Sequence, residues 1–375
     1  MLDKINNIMV LNKVIVLIIT LVSLYIFSLW DFFIFNDLNG KFIGLVNPDN
    51  MQISNFSTWL QLNYKIINGD FFLIKEGFLS FNSGTVSLPF LSLWINSILL
   101  KLFGLSYTVL IFSILIPSLC FSFILLIYLR YLPLLWSIFL SFLGLFSISE
   151  GPFRNFIFSI FKNFPNTFDI DVNKPDIMGM PFPSLSLLAF VITLFYTIQR
   201  TYLSKNRTLV LSFLWGLQIH FHIINAIIGI PFWIITLIII SNKQFRGIWS
   251  YDFYKYIFIR ILLLTIVCLP SLIMLFLANP GLHYFINNET NFNFFTIIMY
   301  FLIPLSMLYI SYLVFRVDPY EIFIKFIPIW SMMIVELIIL LLWIFFRLGI
   351  PDELIIGRLG LFFLHLFYFT PALYC

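Results

Sequence analysis

Long apolar runs alternate with short polar segments along this chain. Most runs have the length of one helix across a bilayer, which needs about 20 apolar residues. Val14–Phe35, Tyr107–Tyr128, Leu132–Ser147, Phe182–Ile198, Ile257–Ala278, Phe294–Phe315, Phe326–Phe346 and Leu359–Tyr374 fit that description. The run Thr208–Ile240 is too long for one crossing and carries Gln218, His220, His222 and Asn225 near its middle. Two short helices with a tight turn at those residues suit it better than one helix with imidazoles in hydrocarbon. Ser87–Phe103 is shorter and contains Pro89, Asn96 and Lys101, which predicts an amphipathic helix lying in the interface. The fold class expected is all-α: one polytopic domain over residues 1–375 with about ten transmembrane helices.

Basic residues set the direction of the spans. They cluster at Lys4 and Lys13, Arg130, Arg200–Arg207, Lys243–Arg260 and Arg316–Lys325, and cytoplasmic loops are the ones enriched in Lys and Arg. Lys13 and Arg130 share a side only if an even number of crossings separates them. Reading Ser87–Phe103 as interfacial meets that condition and leaves one long first outer loop, residues 36–106. Residues 148–181 then form a second outer loop, and the hairpin tip near His220 faces the same way. No small-residue cleavage site comes after the first apolar run, so it reads as an uncleaved span.

Composition fixes the solvent. Of 375 residues 61% are hydrophobic and 10% charged, with a mean hydropathy of +1.02, whereas a soluble domain carries about a quarter charged residues. One water-soluble core cannot hold that much apolar surface, so membrane lipids are the expected surroundings. The net charge of +4 is scattered and gives no nucleic-acid footprint. Cys120, Cys268 and Cys375 lie in or beside apolar runs without CxxC spacing and read as packing residues. Compact loops and a composition rich in Phe, Ile and Asn point to a bacterial plasma membrane.

One polar stretch stands apart, "NPDNMQISNFSTWLQLNYKIINGDFF" from Asn47 to Phe72. Asn47 or Asp49 can cap a helix, Ile53, Phe56, Leu60, Tyr64 and Ile67 recur at helical spacing, and Gly69 ends the run. In "FNSGTVSLPFLSLWINSILLKLFGLS", Gly84, Pro89 and Gly104 punctuate a second interfacial helix. The order is a span, an acidic "PD" turn, a helix closing on "NGD", a Pro-started helix closing on "KLFGLS", and a further span. That order resembles the GT-C glycosyltransferases, such as protein O-mannosyltransferases and the aminoarabinose transferase of lipid A. The likeness covers about Val14 to Arg130, a third of the chain, and rests on order and spacing more than on any single motif. Where the family often has "DE" this chain has Asp49–Asn50, and "LP" stands for a "PP" pair. "QIHFH" replaces a lysine at the tip of a helical hairpin.

The resemblance implies transfer of a sugar from a polyprenyl-phosphate carrier to a hydroxyl or amine of a lipid, glycan or protein acceptor at the outer face. Asp49 stands where the family's catalytic aspartate would be and would accept the nucleophile's proton; a helix N-cap is the competing role. Asp70 belongs to the "GD" that closes the first helix. In the second loop Asp176 stands where family members place another acid. A departing phosphate wants cations or donors, and His220, His222 and Arg358 are the candidates for it. A polar turn and a snorkelling end-anchor are the alternatives for the histidines and the arginine. No cofactor is required. Asp169 and Asp171 are a carboxylate pair open to a divalent metal, although two loop carboxylates are usually just solvated. The i, i+2 spacing of the histidines turns them to different helix faces, against joint chelation on one helix.

Glu336 sits deep in an apolar run, where an ionisable residue is functional or paired. It favours a rival class, a transporter or flippase of lipid-linked sugars, although no internal repeat supports transporter halves. A polysaccharide polymerase or a non-catalytic membrane subunit of a polysaccharide assembly system are further alternatives. Asn55, Asn206 and Asn288 lie in N-x-S/T sequons, of which Asn206 would be cytoplasmic and unused.

Overall fold

The structure is a computed structural model that describes residues 20–21, 63–64, 66–69, 90–138, 141, 184–198, 204–245, 250–277, 327–328, 331–332, 334–335 and 338. Every regular element among the described residues is helical. The main ones are α1 (Phe90–Leu110), α2 (Ile116–Tyr128), α3 (Ser184–Ile198), α4 (Lys205–Phe221), α5 (Ile223–Gln244) and α6 (Tyr251–Leu277), with a π-helical turn, Ile111–Leu115, joining α1 to α2. Among the described residues, two stretches are long and apolar enough to cross a membrane, Asn225–Asn242 in α5 and Tyr251–Ile273 in α6. The chain divides into two compact units, one of Met1–Phe72 with Ser92–Phe195 and one of Leu73–Leu91 with Tyr196–Cys375.

In the first unit two glycines break the chain where punctuation was expected. Helical backbone at Ile66 and Ile67 gives way to a turn in which Gly69 has φ 104°, and its N–H reaches the Ile66 carbonyl at 3.1 Å. Gly104 has φ 73° and ψ 175°, a kink that separates the Phe90–Phe103 part of α1 from its Leu105–Leu110 part. That backbone region is open essentially only to glycine. The expected interfacial helix Ser87–Phe103 thus starts at Phe90 in the structure and stops at the anticipated glycine. Pro117 lies near the start of α2, just after the π turn. Proline lacks an N–H and crowds the carbonyl four residues earlier, and one wider turn relieves both conflicts. The hydroxyls of Ser97, Thr108, Ser118, Ser122 and Thr193 each donate to the carbonyl four residues back. This is how Ser and Thr satisfy themselves in surroundings without water. Thr20 and Ser122 are joined at 2.6 Å, and Phe123 meets Phe195 edge-on at 5.4 Å.

In the second unit the long run from Thr208 is divided at His222, whose backbone is extended (φ −165°, ψ 137°) between α4 and α5. The two helices fold back on each other. Trp233 Nε1 donates to Ser212 Oγ at 2.9 Å, the rings of Trp215 and Phe232 pack edge-on at 5.2 Å, and Asn225 Nδ2 donates to Gln218 Oε1 at 3.3 Å. These pairs are nested about His222, as an antiparallel hairpin requires. Helix α6 returns parallel to α4. Thr208 meets Arg260, Gly216 meets Cys268 and His220 meets Ser271, all at nearly one register. Gly216 makes that approach possible, since a Cβ there would lie 3.0 Å from both the Leu264 carbonyl oxygen and Val267 Cβ.

Helix α6 turns much of its apolar surface outward. Its buried face mixes Phe253, Tyr256, Leu264 and Cys268 with Arg260 and Ser271, whereas Phe258, Leu262, Ile266, Leu269 and Ile273 are exposed at helical spacing. Only 28% of the Tyr251–Ile273 window is buried, so α6 is not the core helix of a soluble domain. A contiguous apolar face of that length is a surface for lipid or for another apolar partner.

Candidate functional site

Polar groups in the second unit gather at both ends of the α4–α5–α6 bundle. At the hairpin end, His220 in the last turn of α4 faces α6. Its Nε2 lies 2.8 Å from the Val267 carbonyl oxygen and its Nδ1 lies 2.6 Å from Ser271 Oγ. A carbonyl only accepts, so Nε2 donates to Val267, while Nδ1 is held by the serine hydroxyl. Pro270 has no N–H to give to the Ile266 carbonyl, and the histidine bonds the next carbonyl along at this weak point of the α6 ladder. Beside it, Gln218 Nε2 donates to the Leu214 carbonyl, and Gln218 and Asn225 join the two arms of the hairpin. Both ring nitrogens of His220 are therefore engaged by protein. To touch a phosphate, the ring must first release Ser271 or Val267.

His222 is the residue between the helices and has extended instead of helical backbone, so the helix-face spacing expected for the two histidines does not apply to it. Among the described residues no three His, Cys, Asp or Glu side chains come together as metal ligands.

At the other end, the first turn of α4 and the first turns of α6 bring together Lys205, Arg207, Lys255 and Arg260. Asp252 is the acid among the described residues of this unit. Arg260 is 4% exposed and leans back toward the start of α6, as helical side chains do. Its Nε donates to Thr208 Oγ1 at 2.8 Å, its Nη1 to the Tyr256 carbonyl at 3.0 Å and its Nη2 to the Lys205 carbonyl at 3.0 Å. The guanidinium lies over the Tyr256 ring at 3.3 Å, and Tyr256 Oη is 2.8 Å from Thr208 Oγ1. Every acceptor is neutral. Sequence reasoning placed Arg260 in a cytoplasmic basic cluster and did not single it out. Its signal was a charge nine residues inside an apolar helix, masked by the charges before it.

In the first unit, Asn63 of the opening polar stretch is 1% exposed and accepts from Ser97 of α1 at 2.7 Å. Beside Ser97 in the chain, Asn96 is fully buried, and neither its Oδ1 nor its Nδ2 has a partner among the described residues. An unsatisfied buried amide costs on the order of 1–3 kcal/mol.

Asp49, Asp70, Asp176 and Arg358, with Glu336 and the Asp169–Asp171 pair, lie outside the described residues. Of the expected site residues, the structure thus places His220 and His222, close in sequence but in different roles. No protein-family model, curated protein or solved structure matches this chain.

Proposed function

We propose that this protein is a multi-pass integral membrane glycosyltransferase of GT-C type, with about ten crossings, in a bacterial plasma membrane. It moves a sugar from a polyprenyl-phosphate carrier to a hydroxyl or amine at the outer face. The observation that carries the reading is the pair of positive-φ glycines, Gly69 and Gly104. They end the two first-loop helices at the "GD" and "FG" positions on which the resemblance to that family rests. The buried Asn63–Ser97 bond ties those two helices together. The outward apolar face of α6 supports the membrane setting.

In this reading the acceptor attacks the anomeric carbon, the lipid phosphate leaves with the bonding electrons, and Asp49 takes the acceptor's proton. Asp176 is the second acid of the site. The phosphate is already a good leaving group, so its departure needs stabilisation of negative charge more than a general acid. Asn96, with its amide NH2 and its carbonyl oxygen both unpartnered, suits a sugar hydroxyl.

The test is transfer by the purified full-length protein from polyprenyl-phosphate sugars, with Asp49→Asn as the variant. Removing a general base lowers rate by about 10²–10⁴-fold. Unchanged transfer in a folded Asp49→Asn protein removes the catalytic assignment. Absence of transfer by the unaltered protein from any such donor removes the enzyme reading.

A further inference from the structure

We infer that the basic end of the α4–α5–α6 bundle binds a phosphate ester, with Arg260 as its buried anchor and the start of α4 as its second wall. The inference rests on the membrane setting proposed above and not on sugar transfer. This end is opposite the His220 end, about 16 Å along α6 from Ser271 at 1.5 Å per residue.

Arg260 carries an uncompensated charge. A buried cation is normally paired, because removing it from water costs several kcal/mol. Arg260 is 4% exposed, yet the three hydrogen bonds it donates go to a threonine hydroxyl and two backbone carbonyls. The acid on its own helix, Asp252, is exposed and makes no bond with it. From α4, the exposed Lys205 and Asn206 and the half-buried Arg207 face this end; Arg207 Nη2 is committed to the Tyr196 carbonyl at 3.1 Å. From α6 come Tyr256 and the exposed Lys255. Among the described side chains of this set Asp252 is the one counter-charge, against the four cations Lys205, Arg207, Lys255 and Arg260.

The geometry then selects the ligand. Two of the five guanidinium N–H donors remain after the three bonds to protein, and Tyr256 fixes the plane in which they lie. A planar fork with a pair of donors suits a tetrahedral oxyanion. Arg260 holds the Lys205 carbonyl at 3.0 Å, so the first turn of α4 is against it. Ser204 caps the Arg207 N–H, while the N–H groups of Lys205 and Asn206 have no intrahelical acceptor and favour an anion. The exposed apolar surface of α6 begins at this same end of the bundle with Phe258 and Ile259, turned about 200° and 100° around the helix from the inward Arg260. A phosphodiester that carries acyl chains can lay them along that face, which makes an anionic lipid of the cytoplasmic leaflet the expected source.

The experiment uses the delipidated full-length protein in neutral detergent, offered phosphatidylglycerol, phosphatidylcholine or inorganic phosphate. Thermal unfolding by tryptophan fluorescence and lipid retention by native mass spectrometry are read together. Phosphatidylglycerol should be retained about tenfold more than phosphatidylcholine and should raise Tm by several degrees, as charge-assisted contacts of this kind predict. In Arg260→Gln both preferences should vanish, and Arg260→Lys should restore only part. The same Tm rise with inorganic phosphate alone supports the site but assigns it to a soluble phosphate ester. Equal retention of the two lipids by the unaltered protein, with no response to phosphate, overturns the inference even if Arg260→Gln does not fold. A phosphatidylglycerol preference that survives in a folded Arg260→Gln protein overturns it as well. Sugar transfer is not part of the readout, so failure here and failure of the enzyme reading are separate results.

Discussion

Ser97 Oγ lies 2.7 Å from Asn63 Oδ1, joining α1 to the helical stretch around Asn63 across 34 residues of sequence. The same hydroxyl is 2.8 Å from the Leu93 carbonyl, so one hydrogen serves two acceptors. Both side chains are buried; Ser97→Ala takes this donor from Asn63 Oδ1, whereas in Asn63→Ala the Ser97 hydroxyl keeps the Leu93 carbonyl and the loss is of the asparagine's own contacts. Ser97→Ala and Asn63→Ala should each cost about 1–3 kcal/mol of stability. The double variant should cost less than the sum, with a coupling of about 0.5–2 kcal/mol. Denaturation of the four proteins in one detergent measures it, and strict additivity would show that the bond does not form.

Gly104 should tolerate no side chain, for a reason that is purely conformational. A Cβ there would meet nothing within 4 Å, yet φ 73° with ψ 175° is costly for any L-residue. Gly104→Ala should therefore lose about 1–3 kcal/mol although no atom clashes. It should also favour straight helix through the kink. The sugar-transfer assay proposed for Asp49→Asn should then show a lowered rate for Gly104→Ala, because the Phe90–Phe103 helix would no longer be held at its angle. Stability and transfer both equal to the unaltered protein would mean that the kink serves neither.

Gly69, Gly104 and the break at His222 were legible because each is a local event. Glycine after helical periodicity is a stop signal, and two amides with two imidazoles in a long apolar run announce a turn. The pairing of α4 with α6 was not legible. It depends on Gly216 meeting Leu264 and Val267, far along the chain, and no local pattern encodes that register. The inward stripe Phe253, Tyr256, Arg260, Leu264, Cys268 and Ser271 is visible as helical spacing once α6 is known. Sequence alone does not say that it faces inward, since a soluble helix with the same period would turn its arginine to water. Arg260 was hidden for that reason, and its chemistry emerges only from the Thr208 and Lys205 atoms that α4 supplies.

The close approach at Gly216 gives a prediction of the opposite kind, steric instead of conformational. Its neighbours are a backbone oxygen and a β-branched side chain, neither of which can move far. Gly216→Leu should push α6 away from α4 and cost about 1–3 kcal/mol or more, the range for overpacking a filled interface. The separation should also weaken His220–Ser271 and Arg260–Thr208, the contacts above and below it. Crosslinking between cysteines placed at Thr208 and Arg260 is the direct measure. Undiminished crosslinking in the Gly216→Leu background would mean that the two helices do not depend on this contact.

The outward face of α6 decides between lipid and water. Leu262 is 46% exposed on that face, between Phe258 and Ile266. On a water-exposed helix Leu262→Arg would change stability by about 0.5 kcal/mol or less, since surface substitutions rarely do more. In a bilayer the same arginine near the middle of a span costs about 2.5–3.5 kcal/mol. Arg260 does not set a precedent for tolerance, because it is turned inward and held by three bonds that position 262 lacks. Leu262→Arg should therefore sharply reduce the fraction recovered in the membrane, while Leu262→Phe should not. Carbonate extraction of cell membranes, with quantitation of the two variants, reads this directly. Equal recovery of both would mean that this face of α6 meets water or protein, and the membrane setting for this unit would be lost.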